Sequence, residues 1–120
     1  MKRSYAASTA LLLAVAVALA VAPLAVAHRH ASAVKTVTVG MTEFKFALST
    51  KTAPHGKVTF KVTNKGKIAH DFKIAGKKTK LLQPRQKATL TVTLTKGRFP
   101  YKCTVDSHAK FGMKGIFRAT

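Results

Sequence analysis

Ala88-Thr-Leu-Thr-Val-Thr-Leu-Thr95 alternates apolar and hydroxyl side chains without a break. Ala88, Leu90, Val92 and Leu94 fall on one side of an extended chain, and Thr89, Thr91, Thr93 and Thr95 on the other. Successive side chains of a strand point to opposite faces, so a period of two marks a half-buried strand. On the C-terminal side Lys96-Gly97 is a turn into a second extended run, Arg98 to Cys103, in which Phe99, Tyr101 and Cys103 share one face. On the N-terminal side Gly76 to Arg85 is a basic loop holding Leu81, Leu82 and Pro84. The span from Lys77 to Gln86 admits either a short helix or an irregular loop.

The same period continues outward. Val37 and Val39 alternate with Thr36 and Thr38, and after Gly40 the residues Phe44, Phe46 and Leu48 alternate with Glu43, Lys45 and Ala47. Pro54-His55-Gly56 is a turn, after which Val58, Phe60 and Val62 face one way and Lys57, Thr59, Lys61 and Thr63 the other. Asn64-Lys-Gly66 turns the chain into an extended stretch from Ile68 to Ile74, and a last strand runs from Lys114 to Ala119. Turns recur about every ten residues, and no helical period or internal repeat appears after the first segment. The expected fold is therefore all-β, a Greek-key β-sandwich of about seven to eight strands.

The N-terminus follows a different rule. Lys2 and Arg3 precede an apolar run from Ala6 to Val21, Pro23 breaks it, and Ala25-Val26-Ala27 has the small-x-small form of a cleavage site. A membrane anchor is the competing reading, since the run lies near the lower length limit for spanning a bilayer. The Ala-x-Ala ending favours a cleaved signal peptide over residues 1–27, hence export to a periplasm or cell surface. No cysteine stands there to carry lipid. Residues 28–34 read as a flexible tail and 35–120 as one domain. If cleavage follows Ala27, His30 becomes the third residue, where it can chelate Cu(II) with the new amine; solvated tail histidines, His28 included, are the plainer reading.

Charge narrows the partners. Of the 22 basic residues, Lys2 and Arg3 leave with the signal, so 20 face three acidic ones, Glu43, Asp71 and Asp106. A formal charge near +17 bears on solubility and association, not on fold. Nucleic acid is the usual partner of so basic a chain, but the export signal and the scattering of lysines along alternating strands argue against it. A redox protein partner with an acidic docking surface, or an anionic envelope surface, fits better, and a general solubility role for the charge fits equally well. A monomer is expected.

Chemistry concentrates in one loop. Cys103, the only cysteine, is followed by His108 and Met113, each five residues on. One cysteine cannot form an internal disulfide, so in an exported chain it needs another account: an intermolecular bridge, a reactive thiol or a metal ligand. Thiolate, imidazole and thioether are three of the four groups of an electron-transfer copper centre, His₂Cys with a weak axial Met. Of the remaining histidines, His55 lies in a Pro-Gly turn, whereas His70 shares a face with Phe72 and Ile74, directed to the core. Each residue has a bland reading alone: a buried Cys as a small hydrophobe, a Met as core, a strand His as merely hydrogen-bonded. Together they favour a metal site of His70, Cys103, His108 and Met113.

These residues carry a resemblance. Asn64-Lys-Gly-Lys-Ile-Ala-His70, Phe99-Pro-Tyr-Lys-Cys103, the spacing Cys-x₄-His-x₄-Met and Gly112-Met-Lys-Gly115 resemble the cupredoxin family of small blue-copper proteins, the plastocyanin and azurin type, over roughly Val34 to Thr120. The resemblance implies one type 1 copper ion, held in a plane by His70, Cys103 and His108 with Met113 as axial ligand. It implies a single-electron shuttle, which the signal peptide makes an exported one; with no second histidine-rich cluster, paired carboxylates or nucleophile–base arrangement in the sequence, an enzyme is not expected. Asp71 departs from the family's usual Asn after the first His; by resemblance it accepts bonds from the backbone near Thr104 and from the Thr104 hydroxyl. Phe72, Phe99, Phe111 and Met41 are expected to pack drily around the metal. Ala109, Phe111, Gly112 and Pro54 are expected to surround the exposed edge of His108, where electrons pass while Lys102, Lys110 and Lys114 steer the partner. Two other readings stay open. One is an extracytoplasmic copper carrier or chaperone using the same ligands; the other is an anion-binding β-domain in which Cys103 is incidental.

Overall fold

The computed structural model describes residues 16, 18–25 and 33–120. Most of the expected signal peptide and of the 28–34 tail, with His28 and His30, lies outside the described residues. Among the described residues no helix is long and apolar enough to cross a membrane.

Nine strands form two packed sheets: β1 Lys35–Thr42, β2 Lys45–Leu48, β3 Thr52–Ala53, β4 Gly56–Asn64, β5 Lys73–Ile74, β6 Lys77–Lys78, β7 Lys87–Leu94, β8 Gly97–Lys102 and β9 Lys114–Ala119. One sheet has the order β2-β1-β4-β7 and the other β3-β9-β8-β5-β6. The chain passes from sheet to sheet after β2, β3, β4, β6 and β7, and β1 lies parallel to β4. The all-β sandwich read from the sequence is the fold.

Alternation explains the core. Val58, Phe60 and Val62 of β4 are buried while Lys57 and Lys61, on the alternate positions, are exposed. Across the two sheets Phe60 meets Phe72 at 5.2 Å and Phe117 at 5.3 Å between ring centroids. Each fully buried ring of this kind contributes about 1.5–3 kcal/mol, so these contacts weld sheet to sheet. Lys45, Lys77, Lys78 and Lys87 stand on outer strands, where charge discourages pairing with another chain.

Two expectations change. The stretch from Ile68 to Ile74 is not a continuous strand: His70 makes only an isolated bridge with Leu82, and regular pairing begins at Lys73. The backbone N–H groups of Lys67 and Ile68 are taken by a side chain, Glu43, so no ladder can use them. The Lys77–Gln86 region contains no helix; it starts with the short β6 and continues irregularly.

Candidate metal centre

One end of the sandwich gathers the site. The ends of β1, β4 and β8 and the starts of β5 and β9 meet there, as the pairs Met41↔Asn64, Lys73↔Lys102 and Lys102↔Lys114 place them. β5 is hydrogen-bonded to β8, so the segments carrying His70 and Cys103 are neighbours, as their shared inward faces suggested.

Cys103 follows directly on β8, and its N–H donates to the Met113 carbonyl at 3.1 Å, closing the loop between them. Within that loop His108 N–H donates to Val105 O at 3.0 Å, and Met113 N–H to His108 O at 3.1 Å. These are short-range turns, and Gly112, at φ +107, takes a backbone conformation that a side chain would strain. The loop folds on itself and faces Cys103, His108 and Met113 inward; Met113 is fully buried.

His70 is fixed by distant groups. Its N–H and C=O both pair with Leu82, at 3.0 and 2.8 Å. Asn64, fully buried, donates through Nδ2 to Ile68 O and Leu82 O, both at 2.8 Å, and accepts from Gly66 N–H at 2.9 Å. The turn that delivers the histidine is thus tied to the irregular segment between β6 and β7. Asp71 carries out the expected tie between the ligand segments: Thr104 N–H donates to Oδ1 at 2.6 Å, and the Thr104 hydroxyl donates to Oδ2. Lys78 Nζ lies 3.8 Å from Asp71 Oδ2.

The donor atoms converge. His70 Nδ1 and His108 Nδ1 are 3.2 Å apart, and Cys103 Sγ lies 4.0 Å from the first and 3.6 Å from the second. Nitrogen and sulfur donors at about 2.0–2.3 Å from one ion in a trigonal plane stand roughly 3.5–3.8 Å apart. The triangle therefore has the size that a single ion requires, and all three residues are buried. Burial pushes the Cys103 thiol up, against a smaller lowering by backbone contacts. A thiolate in this pocket accordingly needs a cation beside it. Two imidazoles with one soft sulfur and a buried thioether nearby fit one type 1 copper ion.

The turn between β1 and β2 touches both imidazoles, which the sequence did not reveal. Glu43 was expected to point outward by alternation, yet its Oε1 accepts from His70 Nε2 at 3.0 Å and from the N–H groups of Lys67 and Ile68 at 2.8 and 3.2 Å. The His70 contact chiefly, helped by those backbone donors and opposed by burial, holds the Glu43 carboxyl at about 2, below its ordinary 4.5. Phe44 lies edge-on to His108 at 4.9 Å and against Phe111 at 5.1 Å. The only advance signal was that Glu43 is one of three acids in a chain of 22 bases. All three sit on the ligand segments or the turn beside them.

The expected surroundings are partly corrected. Met41 and Phe72 are fully buried, but Phe111 is 66% exposed and lies on the surface, because the loop turns it away from the interior. Phe99 is half-buried and pairs with Phe117, toward the other end of β8. Pro54 cannot surround His108: it adjoins Ala53, which pairs with Ala119 at the far end of β9 from Lys114. Phe44 takes that place. His55 is also remote from the site, bonded through Nδ1 to Thr120 O at 2.8 Å.

The family model of the cupredoxin-like domain matches residues 11–115. No curated protein matches the chain. Among solved structures, dithionite-reduced auracyanin from the photosynthetic bacterium Roseiflexus castenholzii has a TM-score of 0.64 at 20% identity, covering 72% of this chain and 97% of its own. Reduced rusticyanin scores 0.58 at 22% identity, covering 72% of this chain and 80% of its own. A multicopper oxidase scores 0.58 at 13% identity over 72% of this chain and 44% of its own. At such identities the likeness is one of fold; the family match spans most of the sequence, and the chain belongs to the cupredoxin-like domain family.

Proposed function

We propose that this chain is an exported one-electron carrier that holds a single copper ion through His70, Cys103 and His108, with Met113 as weak axial ligand. The observation that carries the reading is the buried triangle of His70 Nδ1, His108 Nδ1 and Cys103 Sγ. Copper bound there supplies a reversible Cu(II)/Cu(I) couple whose potential depends on the axial ligand and on the packing and hydrogen bonds about the sulfur. The protein's part is to hold the donors still. The Asp71–Thr104 tie, the Asn64 side-chain bonds and the closed 103–113 loop fix both ligand-bearing segments through the protein's own hydrogen bonds, so the donors would move little between oxidation states. Two of the similar folds, auracyanin and rusticyanin, are recorded in reduced form, which suits a redox role.

His108 is the favoured exit. It is the most exposed of the three donors, at 9%, and the exposed Phe111 stands near it with Phe44. Exposed Lys102, Lys110 and Lys114 border the same end and would steer an acidic partner. Burial of all the donors leaves no open face for a substrate, which supports a carrier over an enzyme and slow copper release over delivery.

The test is to add Cu(II) to the purified mature protein. An intense visible thiolate-to-copper band, lost in Cys103→Ser, is the expected result. Absence of colour in the folded, reduced protein would sink the copper reading. Fast reversible redox cycling without copper loss separates the electron carrier from a copper chaperone.

A further inference from the structure

We propose that Glu43 is a positioning residue of the metal centre, a carboxylate that orients His70 from behind and strengthens its donation through Nδ1. The inference rests on the copper reading above and adds a residue to it. A carboxylate that is ionised only accepts hydrogen bonds, so the 3.0 Å contact to Oε1 places the His70 proton on Nε2. That leaves Nδ1 with its lone pair, and Nδ1 is the atom that faces His108 and Cys103.

Three further observations mark the contact as built. The same oxygen accepts from Lys67 N–H and Ile68 N–H, so one carboxylate holds both the imidazole and the backbone that delivers it. Gly66 makes room for it, because a Cβ there would collide with Oε1 and strike the rest of the carboxylate. Among the described residues no lysine or arginine stands within ion-pair distance of Glu43, although the chain holds 22 of them. The carboxylate is committed to the histidine rather than to the surrounding positive charge.

A ligating imidazole that gives its other N–H to a carboxylate becomes a more basic donor, and such partners are worth about 10–100-fold in metal affinity. The added negative character favours Cu(II) over Cu(I), so it lowers the reduction potential. Three variants separate the causes. Glu43→Gln keeps the length and an accepting oxygen but removes the charge; Glu43→Ala removes both; Gly66→Ala keeps the carboxylate and displaces it from its cradle.

The experiment measures Cu(II) and Cu(I) affinity by competition, the potential by redox titration, and the His70 tautomer in the copper-free protein by ¹⁵N-resolved NMR. Expected is a Cu(II) affinity about 10–100-fold lower in Glu43→Ala and Gly66→Ala, with Cu(I) affinity less changed, and a raised potential. Each tenfold loss borne by Cu(II) alone is 59 mV for one electron. Glu43→Gln should raise the potential while retaining the Nε2–H tautomer, and Glu43→Ala should lose that tautomer preference. Wild-type potential and Cu(II) affinity in both Glu43→Gln and Gly66→Ala overturn the proposal. If the wild-type protein takes no copper, the copper reading fails by itself. The tautomer then still decides whether Glu43 orients His70: an unchanged Nε2–H in Glu43→Ala overturns the positioning role.

Discussion

Two segments build the metal centre by opposite means. The loop from Cys103 to Met113 presents three candidate ligands within eleven residues and is shaped by its own backbone turns. The segment from Asn64 to Asp71 presents one, and almost every bond that fixes it comes from elsewhere: Glu43, Leu82, Thr104. Local turns specify a loop cheaply, whereas a lone ligand on an irregular segment needs long-range partners to hold it. The difference predicts that damage to the first region removes ligands, and damage to the second misplaces one.

The largest effect sharpens the loop side of the contrast. Cys103→Ser should abolish the visible band, since no other thiolate exists in the chain, while urea unfolding of the copper-free protein shifts by less than about 2 kcal/mol. On the His70 side Asn64→Ala should cost about 2–4 kcal/mol in the same measurement. It deletes three hydrogen bonds at a fully buried position and takes their partner from the Ile68 carbonyl and the Gly66 N–H, while the Leu82 carbonyl keeps only the His70 N–H. A loss below about 0.5 kcal/mol would show that the segment holds itself, and the contrast would collapse.

Met113→Leu tests the loop more gently. The swap conserves volume, so stability should change by less than about 1.5 kcal/mol, but copper loses a weak sulfur donor and the potential should rise in a redox titration. No change in potential would remove Met113 from the metal. Smallest is Phe111→Ala. An exposed side chain away from the core should leave stability within about 0.5 kcal/mol, while electron exchange with a small acidic redox protein, followed by stopped flow, slows with added salt in wild type and starts slower in the variant. Salt-independent rates would count against steering by Lys102, Lys110 and Lys114.

Legibility followed the same division. Cys103, His108 and Met113 were visible because the loop is contiguous, and His70 because it shares an inward face with Phe72 and Ile74. Asn64 was read as a turn residue; it is the last residue of β4, and its buried side chain staples the turn that follows. Glu43 and Phe44 were read by alternation as the outward and inward residues of a strand. They occupy the turn between β1 and β2 instead, where alternation has no force. Phe111 was expected both in the dry shell and around the exposed edge of His108, and its exposure fits only the second; Pro54 lies at the other end because sheet pairing decides which strand ends meet.

The sequence by itself determined the strand period, the sandwich class and the identity of the four candidate ligands, because side-chain alternation and ligand chemistry are properties of neighbouring residues. Tertiary structure decided which atoms face one another: that both imidazoles turn Nδ1 toward the sulfur, that Glu43 backs His70, and that Phe44 rather than Pro54 covers His108. Those contacts join residues 27 to 38 positions apart for the two histidine bonds. Only the packing of two sheets, driven by burial of Phe60, Phe72 and Phe117, brings such distant positions to the same end of the fold.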